Sequence, residues 1–333
     1  MNTPQRIERS SSASVLSATA RGFDGRYGTN STIRSPNEIA TALHIQPFTE
    51  VPSWVWKVAW RGHGRLLPLL HANDKAKPQD SDQSLKVLWN KAIVSIDKTS
   101  PGYDNEWTYD LLPRPSRSIL RILKPVLPRL HHGNIEIRTT YLNQIIQQEI
   151  DRNREKRIRL IILGGGYDPR GSRLLTTLPE QVAEVWELDL AEVIASKQQM
   201  LQRLSRRRTR RGDAFRYPNL RAIDLNDHEA AMKLLQEIIH SDDGSDESWY
   251  TIFISEGLLI YLDDPNGLVK LCAKVTNEAK SAGASFCFAD RLANVPGGDE
   301  TAGRKELAMA GWKLIDWRPK PGLARHMGLA RCQ

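Results

Sequence analysis

After Arg138 the chain alternates short apolar segments with segments of helical periodicity, and this alternation constrains its fold more than any other feature. The first apolar segment, 160–163, is followed directly by three glycines. Strands separated by helices of about 10 to 15 residues indicate βαβ crossovers, which give a mostly parallel sheet covered on both faces. We therefore predict a doubly wound α/β domain. Its further strands are predicted at 182–188, 220–223, 250–255, 284–289 and 312–317, with helices at 190–204, 228–239, 265–279 and 304–309.

Three regions are predicted along the 333 residues. Residues 1–35 are rich in serine and arginine, which is typical both of a disordered terminus and of an organellar transit peptide. Residues 36–137 are rich in proline and tryptophan and are predicted to form a helical cap, whereas residues 138–333 form the main domain. Within the cap we expect a loop over 72–84, a helix over 85–96, and a second helix over 116–130 that is broken at Pro125 and Pro128. For Trp54, Trp56 and Trp60 we expect core packing, with a substrate-binding aromatic patch as the alternative.

Positive charge is concentrated in one segment of the chain. The net charge is +8, and residues 203–216 hold seven arginines against the single acid Asp213. A run of this kind is typical of a solvated, mobile loop that follows the helix 190–204. The alternative is a site for phosphate, RNA or an acidic partner.

Cysteine, histidine and hydropathy patterns exclude several classes of protein. Cys272, Cys287 and Cys332 are an odd set without CxxC spacing, so we expect no structural disulfide and a reducing compartment. The eight histidines form no cluster with zinc-ligand spacing, and we predict no metal. No segment approaches the roughly 18 consecutive apolar residues that a membrane span requires. The sequence therefore predicts a soluble protein. We expect a cytoplasmic location, with organellar targeting by residues 1–35 as the alternative, and a monomer.

A glycine-rich turn follows the first predicted strand, with the sequence LGGGYDPR over 163–170. Glycines at this place let the backbone approach a ligand and allow positive φ in the turn. A dinucleotide-binding GxGxxG motif that begins at Gly164 would need a third glycine at position 169, which is Pro169. This difference disfavours a pyrophosphate site and a nicotinamide oxidoreductase.

Acidic residues follow three further strands. Asp189 follows the second strand, where a carboxylate can accept hydrogen bonds from both hydroxyls of a ribose. The alternative is that Asp189 caps the next helix. Asp224 and Leu225 follow the third strand and suit the edge and face of an adenine. Glu256 follows the fourth. Since a sulfonium ligand is cationic, acids at several strand ends suit it better than they suit a pyrophosphate.

Together these residues resemble the leucine carboxyl methyltransferases, a branch of the class I S-adenosylmethionine-dependent methyltransferases. The resemblance covers roughly residues 138–331 and implies a seven-stranded, mostly parallel, Rossmann-like sheet with a helical N-terminal cap. By analogy with the family, the last strand is placed near 327–332. The matching positions are Arg138 with Thr139, the turn 163–170, Glu187 with Asp189, Lys197, Asp224 with Leu225, and EGLLIYL over 256–262.

The resemblance implies a role for each position. Arg138 would pair with the carboxylate of S-adenosylmethionine, and Glu256 would lie near its amino group. Tyr261 would face the substrate pocket. Lys197, by contrast, is interpreted as an exposed residue of its helix. The remaining cofactor-binding positions are Gly164, Gly166 and Asp168 in the glycine-rich turn, Glu187 and Asp189 at the ribose, and Asp224 and Leu225 at the adenine.

The implied activity is that of an S-adenosylmethionine-dependent O-methyltransferase, EC 2.1.1, that forms a methyl ester on the carboxylate of a small acid or of a protein C-terminus. A carboxyl group with a pKa near 4 is ionised at neutral pH, so its methylation needs no general base. Two alternatives stay open beside this prediction. One is a tRNA-modifying relative that binds RNA through 203–216, and the other is a non-catalytic protein that binds the cofactor.

Overall fold

The computed structural model describes residues 79–126, 129–240, 248–279, 283–295, 298–319 and 326–332. The predictions for residues 1–35, for the tryptophans at 54, 56 and 60, and for the loop over 72–78 lie outside the described residues. Residues 79–84, which were expected in that loop, are instead the first part of a helix. Aspartate, serine and glutamine there are compatible with helix once the apolar part of the same helix packs.

A seven-stranded sheet forms the centre of the described domain. Its strand order is β3-β2-β1-β4-β5-β7-β6, and β7 runs antiparallel to both of its neighbours while the other pairs are parallel. The predicted doubly wound, mostly parallel α/β fold is therefore confirmed. The strands are β1 Arg157–Leu163, β2 Val182–Asp189, β3 Asn219–Ala222, β4 Trp249–Glu256, β5 Ala284–Asp290, β6 Trp312–Pro319 and β7 His326–Cys332.

Helices cover both faces of this sheet and form the cap. The helix expected over 116–130 is interrupted at Pro125, as predicted: this proline lies in a 3₁₀ turn at Lys124–Val126 and cannot donate the backbone hydrogen bond of a continuing helix. Pro128 lies outside the described residues. The helices are α1 Gln79–Ser95, α2 Trp107–Leu111, α3 Arg114–Leu123, α4 Arg129–Arg152, α5 Arg170–Thr177, α6 Ala191–Arg210, α7 His228–His240, α8 Pro265–Glu278 and α9 Glu300–Met309, with a second 3₁₀ turn at Leu259–Tyr261.

The central strands are buried on both faces, which explains their continuous apolar sequences. Ile161 of β1 belongs to one core cluster, whereas its neighbours Leu160 and Ile162 belong to the cluster on the opposite face. A third cluster joins the cap to the main domain and includes Trp89 of α1 and Leu204 of α6. The cap is thus anchored by apolar packing close to the carboxyl edge of the sheet.

Residues 203–210 of the arginine-rich segment belong to α6, so the prediction of a loop is wrong for this part, whereas residues 211–216 lie outside any helix or strand. Arginine is a good helix former, and neither proline nor glycine interrupts α6 before Gly212. Gly212 has φ +85°, and the Gly212 and Asp213 N–H groups donate to the carbonyls of Thr209 and Arg208, which is a Schellman ending. Basic side chains in the last turn also stabilise the helix, because they interact favourably with the partial negative charge at its C-terminal end.

The described ranges contain no disulfide, no metal-binding cluster and no candidate membrane span. The three cysteines are free thiols. No group of three or more His, Cys, Asp or Glu side chains in those ranges is arranged to hold a metal ion. None of their helices combines the length and apolar character that crossing a membrane requires.

Candidate cofactor and active site

Two adjoining cavities lie at the carboxyl ends of β1 and β4, with volumes of about 380 Å³ and about 100 Å³. The strand order reverses here, because β1 leads to β2 on one side and pairs with β4 on the other, and such switch points are where α/β sheets bind ligands. Nine of the ten predicted site residues line these cavities. The larger is lined by Gly164, Gly166, Asp189, Asp224, Leu225 and Tyr261; the smaller by Arg138, Gly164, Gly166, Asp168, Glu256 and Tyr261.

The glycine-rich turn forms the wall shared by both cavities. Gly164 and Gly166 have φ of +59° and +49°, which side-chain-bearing residues rarely adopt. A Cβ atom on Gly164 would also lie 2.7 Å from Cδ1 of Leu258. Glycine is therefore required at position 164 both by backbone conformation and by the close approach of the 258–262 segment.

Asp189 is fixed at the end of β2 by backbone N–H groups. Its Oδ2 accepts a 2.7 Å hydrogen bond from Gly166 N, and its Oδ1 accepts one of 2.8 Å from Leu190 N. Burial raises the pKa of Asp189, although these two bonds act in the opposite direction. Leu190 is the N-cap of α6 and no side chain caps this helix, so the carboxylate does not serve as the helix cap.

Asp224 and Leu225 lie in the loop after β3. Asp224 is exposed, and its Oδ1 accepts hydrogen bonds of 2.9 Å and 3.2 Å from the backbone and side-chain nitrogens of Asn226. Leu225 is only 4% exposed and belongs to the main core cluster. The larger cavity thus has a charged edge and an apolar wall at this end.

A buried network of charges surrounds the smaller cavity. Lys91 Nζ lies 2.6 Å from Asp168 Oδ2 and 2.8 Å from Glu256 Oε2. Arg138 Nε donates to Glu256 Oε1 at 2.8 Å, and Arg170 Nη2 donates to Glu256 Oε2 at 2.9 Å. Three cations therefore face two carboxylates. The excess of one positive charge suits a ligand that brings its own carboxylate.

The same network determines the ionisation of its acids. Burial alone would raise the pKa values of Asp168 and Glu256, because it penalises the charged form. The neighbouring cations outweigh this effect: Arg170 and Lys91 act on Asp168, and Lys91, Arg170 and Arg138 act on Glu256. The pKa of each carboxyl group is consequently held well below its usual range, and both are ionised at neutral pH.

Lys91 is the network member that sequence reasoning missed. It lies in the cap on α1, 77 positions from Asp168 and 165 from Glu256 along the chain. A lysine in a helix is usually solvated, and no local motif marks this one. Its burial depends on α1 packing over the cavity, where Val87 and Leu88 also line the wall.

Glu187 and Lys197 form a buried ion pair behind the glycine-rich turn. Neither residue lines the two cavities described above, and Glu187 faces Lys197 instead. The interpretation of Lys197 as exposed is wrong, since the residue is 1% exposed. It shares the inward face of α6 with Val193, Met200 and Leu204, and this spacing in the sequence was a usable signal.

Asp290 is a second residue that sequence reasoning missed. It is fully buried at the end of β5, and its Oδ2 accepts hydrogen bonds from Ser255 Oγ at 2.8 Å, Leu258 N at 2.7 Å and Leu259 N at 3.0 Å. These bonds fix the 3₁₀ turn that carries Tyr261, which is 57% exposed where the two cavities meet. One carboxylate thereby positions the wall opposite the glycine-rich turn.

Replacing Asp290 by alanine is expected to weaken cofactor binding at least tenfold, because a buried N–H left without an acceptor costs about 1–3 kcal/mol and the turn can regain hydration only by moving. Calorimetric titration with S-adenosylhomocysteine measures the change. Ser255→Ala is the matched control, since it removes one donor to the same oxygen and leaves the turn bonded. Equal affinities of Asp290→Ala and wild type would contradict this role.

Comparison with known proteins agrees with this geometry. The model of the leucine carboxyl methyltransferase family matches residues 110–275, about half of the chain. The fold and the family match define a class I methyltransferase that uses S-adenosylmethionine. Within that class, the chain is leucine carboxyl methyltransferase-like. No curated protein sequence gives a match.

Solved structures offer distant likenesses. The CurJ carbon methyltransferase is 12% identical, with 77% of this chain and 72% of that chain covered and a TM-score of 0.40. Magnesium protoporphyrin IX methyltransferase (ChlM) from Synechocystis PCC 6803 with bound SAM is 11% identical, with 60% and 81% covered and a TM-score of 0.37. At these scores the family match and the strand order carry the assignment.

Proposed function

We propose that this methyltransferase acts on a carboxylate and forms a methyl ester. The observation that supports this acceptor is the ionised state of the two acids that line the smaller cavity, Asp168 and Glu256. No histidine or cysteine of the described residues lines either cavity. Because the pKa values of Asp168 and Glu256 lie well below their usual range, neither carboxylate is suited to take up a proton near neutral pH. A carboxylate acceptor is already ionised and needs no such base.

In this proposal the smaller cavity holds the amino-acid part of the cofactor. Arg138 and Lys91 face its carboxylate, and Glu256 with Asp168 faces its amino group. The glycine turn supports the fit, because it exposes backbone where a Cβ atom would obstruct. The larger cavity holds the nucleoside, with Asp189 at the ribose and Asp224 and Leu225 at the adenine. The mixture of acidic and basic groups matches a ligand that is zwitterionic at one end and neutral at the other.

The cofactor, when bound, would supply a methyl group bonded to a sulfonium sulfur. This sulfur leaves as a neutral thioether, so the methyl group is already activated for transfer. The protein's contribution is then alignment of the acceptor oxygen with that methyl group and exclusion of water. Val87 and Leu88 of α1 place apolar side chains beside the smaller cavity. Tyr261 stands where the cavities meet and is proposed to contact the acceptor. Removing water from a carboxylate strengthens its electrostatic interactions and favours its reaction with a cation.

Alkali-labile label is the expected result when the protein is incubated with a radioactive methyl donor and candidate acceptors. Methyl esters release methanol in mild base, whereas N-methyl groups and aryl methyl ethers keep their label. The measurement is the volatile radioactivity after base treatment of the protein, small-acid and RNA fractions. Gly164→Val is the control, because its side chain would obstruct the turn and abolish transfer. Alkali-stable label would overturn the carboxylate acceptor.

Methylation of RNA is the second candidate function. The observation that favours it is the concentration of exposed arginines on the C-terminal half of α6. Label confined to the RNA fraction, and stable to base treatment at conditions that hydrolyse esters, would establish it in place of ester formation.

A further inference from the structure

The arginines around α6 fall into two groups with different surroundings. Arg207 donates to the backbone carbonyls of Asp110 and Leu112, and Arg208 lies 4.5 Å over the ring of Trp107, so these two hold the cap. The others have guanidinium groups available at the surface. Together with the arginines of α3 they form what we call the basic patch, which comprises Arg114, Arg117 and Arg121 of α3, Arg203, Arg206 and Arg210 of α6, and Arg211 directly after α6.

The two helices present one continuous surface. Arg117 Nη1 and Arg211 Nη2 donate to the same oxygen, Asp110 Oδ1, at 3.2 Å and 3.3 Å. The pKa of Arg207 is lowered to about 10, mainly by burial and also by the nearby positive charges of Arg117, Arg203 and Arg211, while Asp110 acts in the opposite direction. Positive charges from α3 and α6 are therefore close enough to repel one another.

Carboxylates of the described residues balance little of this charge. Asp110 is fully buried and pairs with Arg117, Arg208 and Arg211. Arg114, Arg121, Arg203, Arg206 and Arg210 form no ion pair with any residue that the structure describes. Holding so many like charges together disfavours the folded state, so an anionic partner would bind by relieving this repulsion.

The basic patch lies away from the methyl-transfer site. Val193, near the start of α6, lines the larger cavity, and Arg203, the first patch residue on the same helix, is 10 positions further along. At 1.5 Å per residue the separation along the helix axis is about 15 Å. An acceptor group in the cavity cannot touch the patch, whereas a macromolecule that carries this group can reach both.

Apolar exposure beside the patch favours a protein over a nucleic acid. Ile122 follows Arg121 on α3 and is 74% exposed, and Tyr217 beyond the end of α6 is 51% exposed. Arginine, tyrosine and apolar side chains in combination are typical of protein interfaces. A phosphate backbone would make no use of an exposed isoleucine.

We propose that the basic patch docks an acidic, partly apolar segment of a protein substrate while another part of that substrate enters the cavity. This inference rests on the proposed function in that it names the carrier of the acceptor carboxylate. The patch would raise the local concentration of the substrate and its association rate without contributing to the chemical step. Its effect should fall on KM and on salt dependence, with kcat for a small acid unchanged.

The test uses the full chain and a charge-reversed variant, Arg121→Glu/Arg206→Glu/Arg210→Glu. The matched control is Lys270→Glu/Lys305→Glu/Lys313→Glu, which makes the same charge change at exposed sites elsewhere. The probes are a fluorescent 20-residue peptide of glutamate and leucine and a 20-nucleotide oligouridylate, titrated at about 0.15 M salt. S-adenosylhomocysteine affinity of each variant shows whether its cofactor site is intact.

We expect the peptide to bind wild type more tightly than the oligouridylate and to bind the patch variant at least tenfold more weakly, with the control variant unchanged. If wild type binds oligouridylate more tightly than the peptide and the patch variant loses this binding, the proposal of a protein partner is overturned. If all three proteins bind the peptide equally, the basic patch does not dock it, and the proposal is overturned. Because binding is measured without turnover, these outcomes are independent of whether alkali-labile methyl label is found.

Discussion

Glu187→Ala is expected to destabilise the protein by about 3–5 kcal/mol, although Glu187 contacts neither cavity. Breaking a buried ion pair from one side leaves the other charge without compensation, which is more costly than losing the attraction alone. Here the remaining charge would be Lys197, which is 1% exposed and whose Nζ also lies 3.4 Å from the carbonyl of Gly165. The measurement is the free energy of unfolding from chemical denaturation at neutral pH.

A double variant, Glu187→Leu/Lys197→Met, separates the loss of a pair from the creation of an unpaired charge. Apolar side chains of similar volume in place of a buried pair are often neutral for stability. The double variant should therefore be closer to wild type than Glu187→Ala. If Glu187→Ala lowers the free energy of unfolding by less than about 1 kcal/mol, water must reach Lys197 in the variant. The buried pair would then not be a main contributor to stability.

The Glu187–Lys197 pair lies directly behind the glycine-rich turn, and its side chains leave little room for a Cβ atom at two nearby glycines. A Cβ atom on Gly171 would collide with Oε1 of Glu187, and one on Gly165 would lie 3.3 Å from Nζ of Lys197. The backbone of the turn packs against this pair, so Glu187 affects the cofactor site indirectly, through the position of the turn. We infer that the double variant, even if stable, binds S-adenosylhomocysteine less tightly than wild type.

The sheet could be predicted from the sequence because its central strands are buried on both faces. Continuous apolar segments such as 160–163 have few alternatives when helical segments of regular length separate them. Parallel strands also place their carboxyl ends along one edge, so polar residues after successive strands converge. Asp189, Asp224 and Glu256 were found by this rule, and all three line the cavities.

Lys91 could not be found in this way, because it reaches the site only through the packing of the cap helix α1 across it. Asp290 is an acid at the end of a strand like the others, and its sequence carries no signal that it positions the turn after β4. The arginine-rich segment was misjudged for a related reason. Its charge predicts solvation, but its helix propensity and the packing of Arg208 on Trp107 decide the outcome.

Arg138→Ala is expected to weaken cofactor binding by about 10- to 150-fold, which corresponds to the roughly 1.5–3 kcal/mol of a charge-assisted hydrogen bond to a carboxylate. The variant should fold, because Glu256 keeps Lys91 and Arg170 as partners at 2.8 Å and 2.9 Å. Calorimetric titration with S-adenosylhomocysteine gives the affinity, and the free energy of unfolding verifies that the fold is intact.

Arg152→Ala is the control, since Arg152 is an exposed arginine of the same helix, α4. Arg138→Lys adds a finer comparison: it keeps the charge but lacks the planar fork that can bind Glu256 and a ligand carboxylate together. We expect the lysine variant to lie between alanine and wild type. If Arg138→Ala folds and binds as wild type does, Arg138 only balances the charge of Glu256, and Lys91 or Arg170 must hold the ligand carboxylate instead.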